Sequence, residues 1–136
     1  MKIEFKNVSF TYDNKIEALK DINFTLDKNE IIFVMGHTGS GKSTLVQHFN
    51  GLLFPSKGEV NIIIDNKEYK LTPKEKRIKE VRKNIGMVFQ FPENQLFESE
   101  VLKDVMFGPK NFGYKEEEAL DLAKKSLHKH RHMCFF

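Results

Sequence analysis

The 136-residue sequence is poor in three things, and each absence excludes a class of protein. It carries one cysteine, Cys134, so it cannot close an internal disulfide, and that usage suits a reducing compartment such as the cytosol. Long apolar runs are also missing. The longest is Ile31-Ile32-Phe33-Val34-Met35, and the opening Met1-Lys2-Ile3-Glu4-Phe5 lacks the apolar core of a secretion signal. Neither a leader nor a membrane span is expected, so any membrane role is expected to be peripheral. Finally, the charge is weak and scattered: 22 basic against 19 acidic residues give +3, which does not call for nucleic acid as a partner. The length suits one globular core and leaves no room for a second.

What is present is a loop of distinct chemistry. Gly36-His37-Thr38-Gly39-Ser40-Gly41-Lys42-Ser43-Thr44 fits G-x-x-x-x-G-K-[ST] in full, between an apolar run and a helical pattern starting near Ser43. Gly36, Gly39 and Gly41 lack a Cβ, so the backbone can take positive φ values and turn its N–H groups around a phosphate. Lys42 supplies a point charge for the β and γ phosphates, and the following helix N-terminus adds a favourable dipole. The Ser43 hydroxyl can coordinate Mg²⁺, and Thr44 can add a further hydroxyl to phosphate. Nucleotide binding is the working premise. His37 fills a variable loop position, and His48, beside polar Gln47, reads as solvated or locally satisfied.

In chain order, apolar alternation predicts a strand over residues 3–12, with a bulge or turn near Lys6-Asn7. Asp13-Asn14-Lys15 connects it toward a second strand over 22–26, so the opening reads as antiparallel β. The continuous run 31–35 predicts a central strand covered on both faces. Leu45, Val46, Phe49, Leu52 and Leu53 recur at helical spacing until Pro55 and Gly58. A strand over 59–65 and an Asn66-Lys67 turn lead into Tyr69-Lys70-Leu71. Thr72-Pro73-Lys74-Glu75 reads as a capping box opening a short basic helix to about Lys83. A second buried strand over 85–89 delivers Gln90 at its carboxyl end, where ligands lie in open α/β sheets. An aromatic-rich loop over 91–98 precedes a helix around 100–107 that stops at Gly108-Pro109. The last helix, about 115–127, places Glu116, Glu117 and Glu118 first, with Lys124 and Lys125 near its end and Leu120, Ala123 and Leu127 as its apolar stripe.

These segments together resemble the front part of an ATP-binding cassette ATPase, most closely the ATPase subunits of energy-coupling factor transporters of the cobalt and vitamin-uptake type. The resemblance rests on Val8-Ser9-Phe10-Thr11-Tyr12, the loop 36–44, Gly86-Met87-Val88-Phe89-Gln90-Phe91-Pro92-Glu93-Asn94-Gln95-Leu96-Phe97, and Asp104-Val105-Met106-Phe107-Gly108-Pro109-Lys110-Asn111-Phe112-Gly113. It implies an α/β phosphate-loop NTPase fold, a nucleotide-binding domain with an N-terminal antiparallel β subdomain. It also implies ATP and Mg²⁺ as ligands, Tyr12 stacking on adenine, and Lys42 and Gln90 at the reacting phosphate, Gln90 reaching Mg²⁺ and the attacking water.

The implied partners are a second ATPase subunit, a transmembrane coupling subunit and a substrate-binding membrane subunit, at the cytoplasmic face of the membrane. The aromatic residues 91–97 suit docking of a partner helix or packing in the chain's own core. The transported substrate is not encoded here.

The resemblance covers residues 1–127. No LSGGQ-like signature, no Walker B strand ending in an Asp-Glu pair and no switch histidine occurs, so the domain reads as truncated before those motifs. Binding is expected to survive and turnover is not. The incomplete sheet is expected to leave edges and apolar faces uncovered. The alternative reading is a hydrolysis-incompetent remnant that holds nucleotide or a partner. A small kinase or a GTPase fits less well, the GTPase lacking an N-K-x-D motif. Residues 128–136 read as an atypical tail. His128, His130 and His132 alternate and could hold Zn²⁺ or Ni²⁺ if extended, with Cys134 a possible fourth ligand, but a shifted reading frame explains the change of composition more simply.

Overall fold

The computed structural model describes residues 1–130, which form two compact units, Met1–Met87 and Val88 onward. The first is built on a four-stranded antiparallel sheet of order β2-β1-β3-β4, with β1 Lys2–Thr11, β2 Glu17–Leu26, β3 Lys57–Ile64 and β4 Lys67–Lys70. The period-two pattern of β1 turns Ile3, Phe5, Val8 and Phe10 inward to a core shared with Val60, Ile62, Leu71 and Val81. Phe5 lies opposite Phe24 on one side and Val60 on the other, and its ring stacks on Phe24 at 4.5 Å.

The expected irregularity falls at Asn7, whose φ is +50° and where both ladders shift register. Its N–H donates to Asn23 Oδ1 at 2.7 Å and its amide to Asp21 Oδ1 at 2.9 Å, so side chains replace the lost ladder bonds. The β3–β4 hairpin turns on Asp65-Asn66, with φ of +49° and +63°, one residue earlier than the expected Asn66-Lys67.

Several sequence expectations are corrected. Residues 31–35 are not a buried strand: among the described residues nothing pairs with them, and Ile31, Phe33 and Met35 are 86%, 83% and 89% exposed. Residues 85–89 likewise join no described sheet, and Val88 is 80% exposed. A strand needs a hydrogen-bonding neighbour, which apolar composition alone does not supply.

The helix after the loop, α1 Lys42–Gln47, is short; residues 48–51 continue as turns that still bury His48 and Asn50. The short basic helix is present and ends near Lys83 as expected, but Thr72-Pro73-Lys74-Glu75 does not open it. Glu75 N–H closes a turn on Thr72 O at 3.0 Å, Glu75 pairs with Arg77, and α2 begins only at Ile78 and runs Ile78–Asn84.

In the second unit a 3₁₀ turn, Pro92–Gln95, precedes α3 Val101–Asn111 and α4 Glu116–His130. α3 does not stop at Gly108-Pro109; it continues through the proline and ends at Gly113, whose φ is +88°. α3 and α4 meet over Met106, Ala119 and Ala123, with Leu102, Val105, Tyr114 and Leu120 packed against them. Because α4 continues to His130, His128 and His130 are helical, about 200° apart around the axis, and do not face one side. His132 and Cys134 lie outside the described residues, as does most of the 128–136 tail. No described helix is long and apolar enough to cross a membrane.

Candidate functional site

The hairpin between β1 and β2 and the glycine-rich loop build one site. Tyr12 closes β1, where the turn is fixed by Tyr12 N–H to Ile16 O at 3.0 Å and Lys15 N–H to Tyr12 O at 2.8 Å. Its ring meets Phe10 edge-on, with centroids 4.8 Å apart, and its hydroxyl lies 2.9 Å from Thr44 Oγ1 on α1. Tyr12, Asn14, Ile16, Glu17 and Ala18 face Gly39 to Thr44 across a cleft of about 480 Å³. The ring thus stands on one wall and the loop on the other.

Within the loop, Ser40 N–H bonds to His37 O at 3.2 Å, His37 Nδ1 lies 2.8 Å from Thr38 O, and Leu45 N–H starts the helix on Gly41 O at 2.8 Å. Lys42 bends back over this turn. Its ammonium donates to Gly36 O at 2.8 Å, His37 O at 2.7 Å and Ser40 Oγ at 3.4 Å, so uncharged oxygens hold it and, among the described residues, no carboxylate pairs with it. Charge placed in this way is available to an anion entering the loop.

Gly41 is irreplaceable twice over: its φ is +87°, and a Cβ there would stand 2.4 Å from Ala18 O. Gly39 shares the left-handed backbone at +82° with open space around it. Gly36 has no positive φ, and a Cβ there would come within 2.6 Å of Ser40 Oγ, which the serine side chain would have to turn to relieve. Ser43 is exposed on the cleft and Thr44 is buried. Gln90 belongs to the second unit, at an exposed bend that ends no described strand.

Three participants escape sequence reasoning. Ala18 and Glu17 line the cleft through the register of the hairpin, which no local pattern announces. His48 is not solvated: it is fully buried, with its ring 5.0 Å from that of Phe10. Its Nδ1 donates to Thr44 O at 2.7 Å, which gives it the local satisfaction expected of it. Burial lowers its pKa from the ordinary value, and the Thr44 and Phe54 backbone only partly offsets this.

A glycine-rich turn, a lysine held by uncharged oxygens and a facing aromatic ring thus share one cleft. The family described as ABC transporter matches residues 19–133. The chain belongs to the ABC transporter family. Among curated relatives, it is 50% identical over 133 residues to the energy-coupling factor transporter ATP-binding protein EcfA2 of Lactobacillus johnsonii, covering 95% of this chain and 45% of that protein.

The EcfA2 protein of Enterococcus faecalis is 51% identical over 133 residues, covering 93% and 45%. The chain therefore spans less than half the length of these relatives. Among solved structures, cbiO1 from Clostridium perfringens, described as part of the ABC transporter complex cbiONQ, is 37% identical with a TM-score of 0.70, covering 93% of this chain and 49% of that one. A dimeric ATP-binding cassette bound to ADP and Pi is 32% identical with a TM-score of 0.71, covering 93% and 56%. The antiparallel sheet, phosphate loop and flanking helices are thus those of an ABC ATPase nucleotide-binding domain.

Proposed function

We propose that this chain binds ATP with Mg²⁺ as part of the ATP-binding subunit of an energy-coupling factor transporter. The observation that carries the reading is Lys42, held unneutralised over the carbonyls of Gly36 and His37 and sharing one cleft with the Tyr12 ring. Triphosphate exchanges those carbonyls for phosphate oxygens, adenine stacks on Tyr12, and the loop N–H groups of residues 36–44 enclose the β-phosphate. Mg²⁺ arrives with the phosphates and takes the Ser43 hydroxyl, which is exposed on the cleft, from the protein. Gln90 is the second proposed Mg²⁺ contact and, with Lys42, the group nearest the chemistry.

The subunit pairs with a second ATPase subunit and works against a transmembrane coupling subunit and a substrate-binding membrane subunit, at the cytoplasmic face. The exposed Phe91, Leu96 and Phe97 support docking of an apolar partner there. Hydrolysis is proposed for the subunit and not for these 136 residues alone, which hold no LSGGQ-like run and no strand-end Asp-Glu pair. Residues 1–127 form the proposed nucleotide-binding part.

The test is titration with a fluorescent ATP analogue in Mg²⁺. Lys42→Ala should weaken binding about a hundredfold, the roughly 3 kcal/mol that charge-assisted bonds to phosphate supply. Saturable binding that is indifferent to Lys42→Ala would sink the proposal.

A further inference from the structure

His48 takes no part in the reading above, yet it closes a ring of contacts around the site. Its imidazole meets Phe10 edge-on at 5.0 Å, and Phe10 meets Tyr12 edge-on at 4.8 Å. The Tyr12 hydroxyl lies 2.9 Å from Thr44 Oγ1, and Thr44 O accepts from His48 Nδ1 at 2.7 Å. Four residues, Phe10 and Tyr12 at the end of β1 and Thr44 and His48 in and just after α1, thus return on themselves, joining the aromatic wall of the cleft to the helix that follows the phosphate loop.

The identity of the residue carries information. A fully buried site between Phe5 and Phe10 suits leucine or phenylalanine, and a histidine there places two polar nitrogens among apolar rings. Its gain is Nδ1. The His48 backbone N–H turns to Leu45 O at 3.1 Å instead of Thr44 O, and the imidazole N–H takes the Thr44 carbonyl. Among the described residues no charged side chain acts on the imidazole; Thr44 and Phe54 reach it through their backbones.

We propose that His48 is a positioning residue for the nucleotide: neutral imidazole locks α1 to Phe10 and so holds the Tyr12 ring at a set distance from the phosphate loop. It fixes the span between base and triphosphate, not the affinity of the loop for phosphate. This rests on the ATP-binding reading.

The experiment measures the dissociation constants of ATP and of inorganic triphosphate, both with Mg²⁺, for the 136-residue chain and its His48→Leu and His48→Asn variants. His48→Leu should weaken ATP about tenfold while triphosphate stays within about twofold, as expected for one lost buried hydrogen bond felt on the base side only. His48→Asn, whose amide reaches the Thr44 carbonyl, should recover most of the ATP affinity. Because protonation would place a charge in this apolar site and burial holds the ring neutral below the ordinary imidazole range, the ratio of ATP to triphosphate affinity should also fall in the wild type as the pH drops beneath that range, and stay flat in His48→Asn.

Should His48→Leu fail to fold, the Asn variant and the pH profile decide alone. Equal losses for both ligands, or a wild-type ratio indifferent to pH, would reduce His48 to core packing and overturn the proposal. A wild type that binds neither ligand overturns the ATP reading itself.

Discussion

Val60-Asn61-Ile62-Ile63-Ile64 and Ile31-Ile32-Phe33-Val34-Met35 are both apolar runs rich in isoleucine and valine, and they meet opposite surroundings. Val60 and Ile62 are fully buried, whereas Ile31, Phe33 and Met35 stand more than four-fifths exposed, at 86%, 83% and 89%. The first run lies between two partners, with Phe5 of β1 opposite Val60 and Tyr69 of β4 opposite Ile62. No described strand lies beside the second. A β-branched run therefore supplies surface to bury, and a neighbouring strand decides whether it becomes sheet.

The sharpest way to break this comparison is a matched pair of truncations. Ile62→Ala should cost about 3 kcal/mol, the usual loss for a buried large-to-small change, whereas Phe33→Ala should stay within about 0.5 kcal/mol. Urea denaturation measures both. A Phe33→Ala cost close to that of Ile62→Ala would mean that residues 31–35 are covered in solution, and the contrast would fail.

A second pair tests the loop that follows the exposed run. Gly41→Ala meets both a left-handed backbone and Ala18 O at 2.4 Å, so it should cost about 2–3 kcal/mol and remove nucleotide binding. Gly39→Ala meets only the backbone strain, with nothing within 4 Å of the new atom, and should cost about 1 kcal/mol. Thermal melts followed by circular dichroism order the two; equal shifts would show that the loop leaves its cleft wall when Gly41 is replaced.

The same distinction between local and distant information sets what the sequence discloses. The loop 36–44 is legible because spacing and residue type are its chemistry, and Tyr12 and Thr44 do meet. The antiparallel opening is legible from alternation, down to the break at Asn7. The runs 31–35 and 85–89 mislead, because burial of a continuous apolar run depends on strands that composition cannot summon. Thr72-Pro73-Lys74-Glu75 misleads because Glu75 spends its carboxylate on Arg77, and the helix begins after that pair. Pro109 sits inside α3, where the glycine at 113 provides the stop the pair Gly108-Pro109 was expected to give. His48 is hidden because only the packing of β1 onto α1 reveals how deeply it lies.

The smallest effect probes the paired side of the comparison through charge. Glu4, on β1 opposite Asn61 of β3 and Thr25 of β2, accepts from Lys2 at 2.6 Å and Lys6 at 2.9 Å. Those hydrogen bonds hold its pKa at about 2, below the ordinary 4.5. A carboxylate lowered on folding contributes stability that is complete above its unfolded value and lost as the pH falls from 4.5 toward 2. Glu4→Gln should therefore flatten the acid limb of the melting-temperature profile in that window and leave the profile between pH 5 and 8 in place. Some slope should remain, because Glu59 beside Lys70 and Glu75 beside Arg77 are lowered by the same cause. An acid limb unchanged by Glu4→Gln would mean that the two lysines leave Glu4 in solution and that β1 is held by its ladders and core alone, since residues 31–35 carry no ionisable side chain through which to answer.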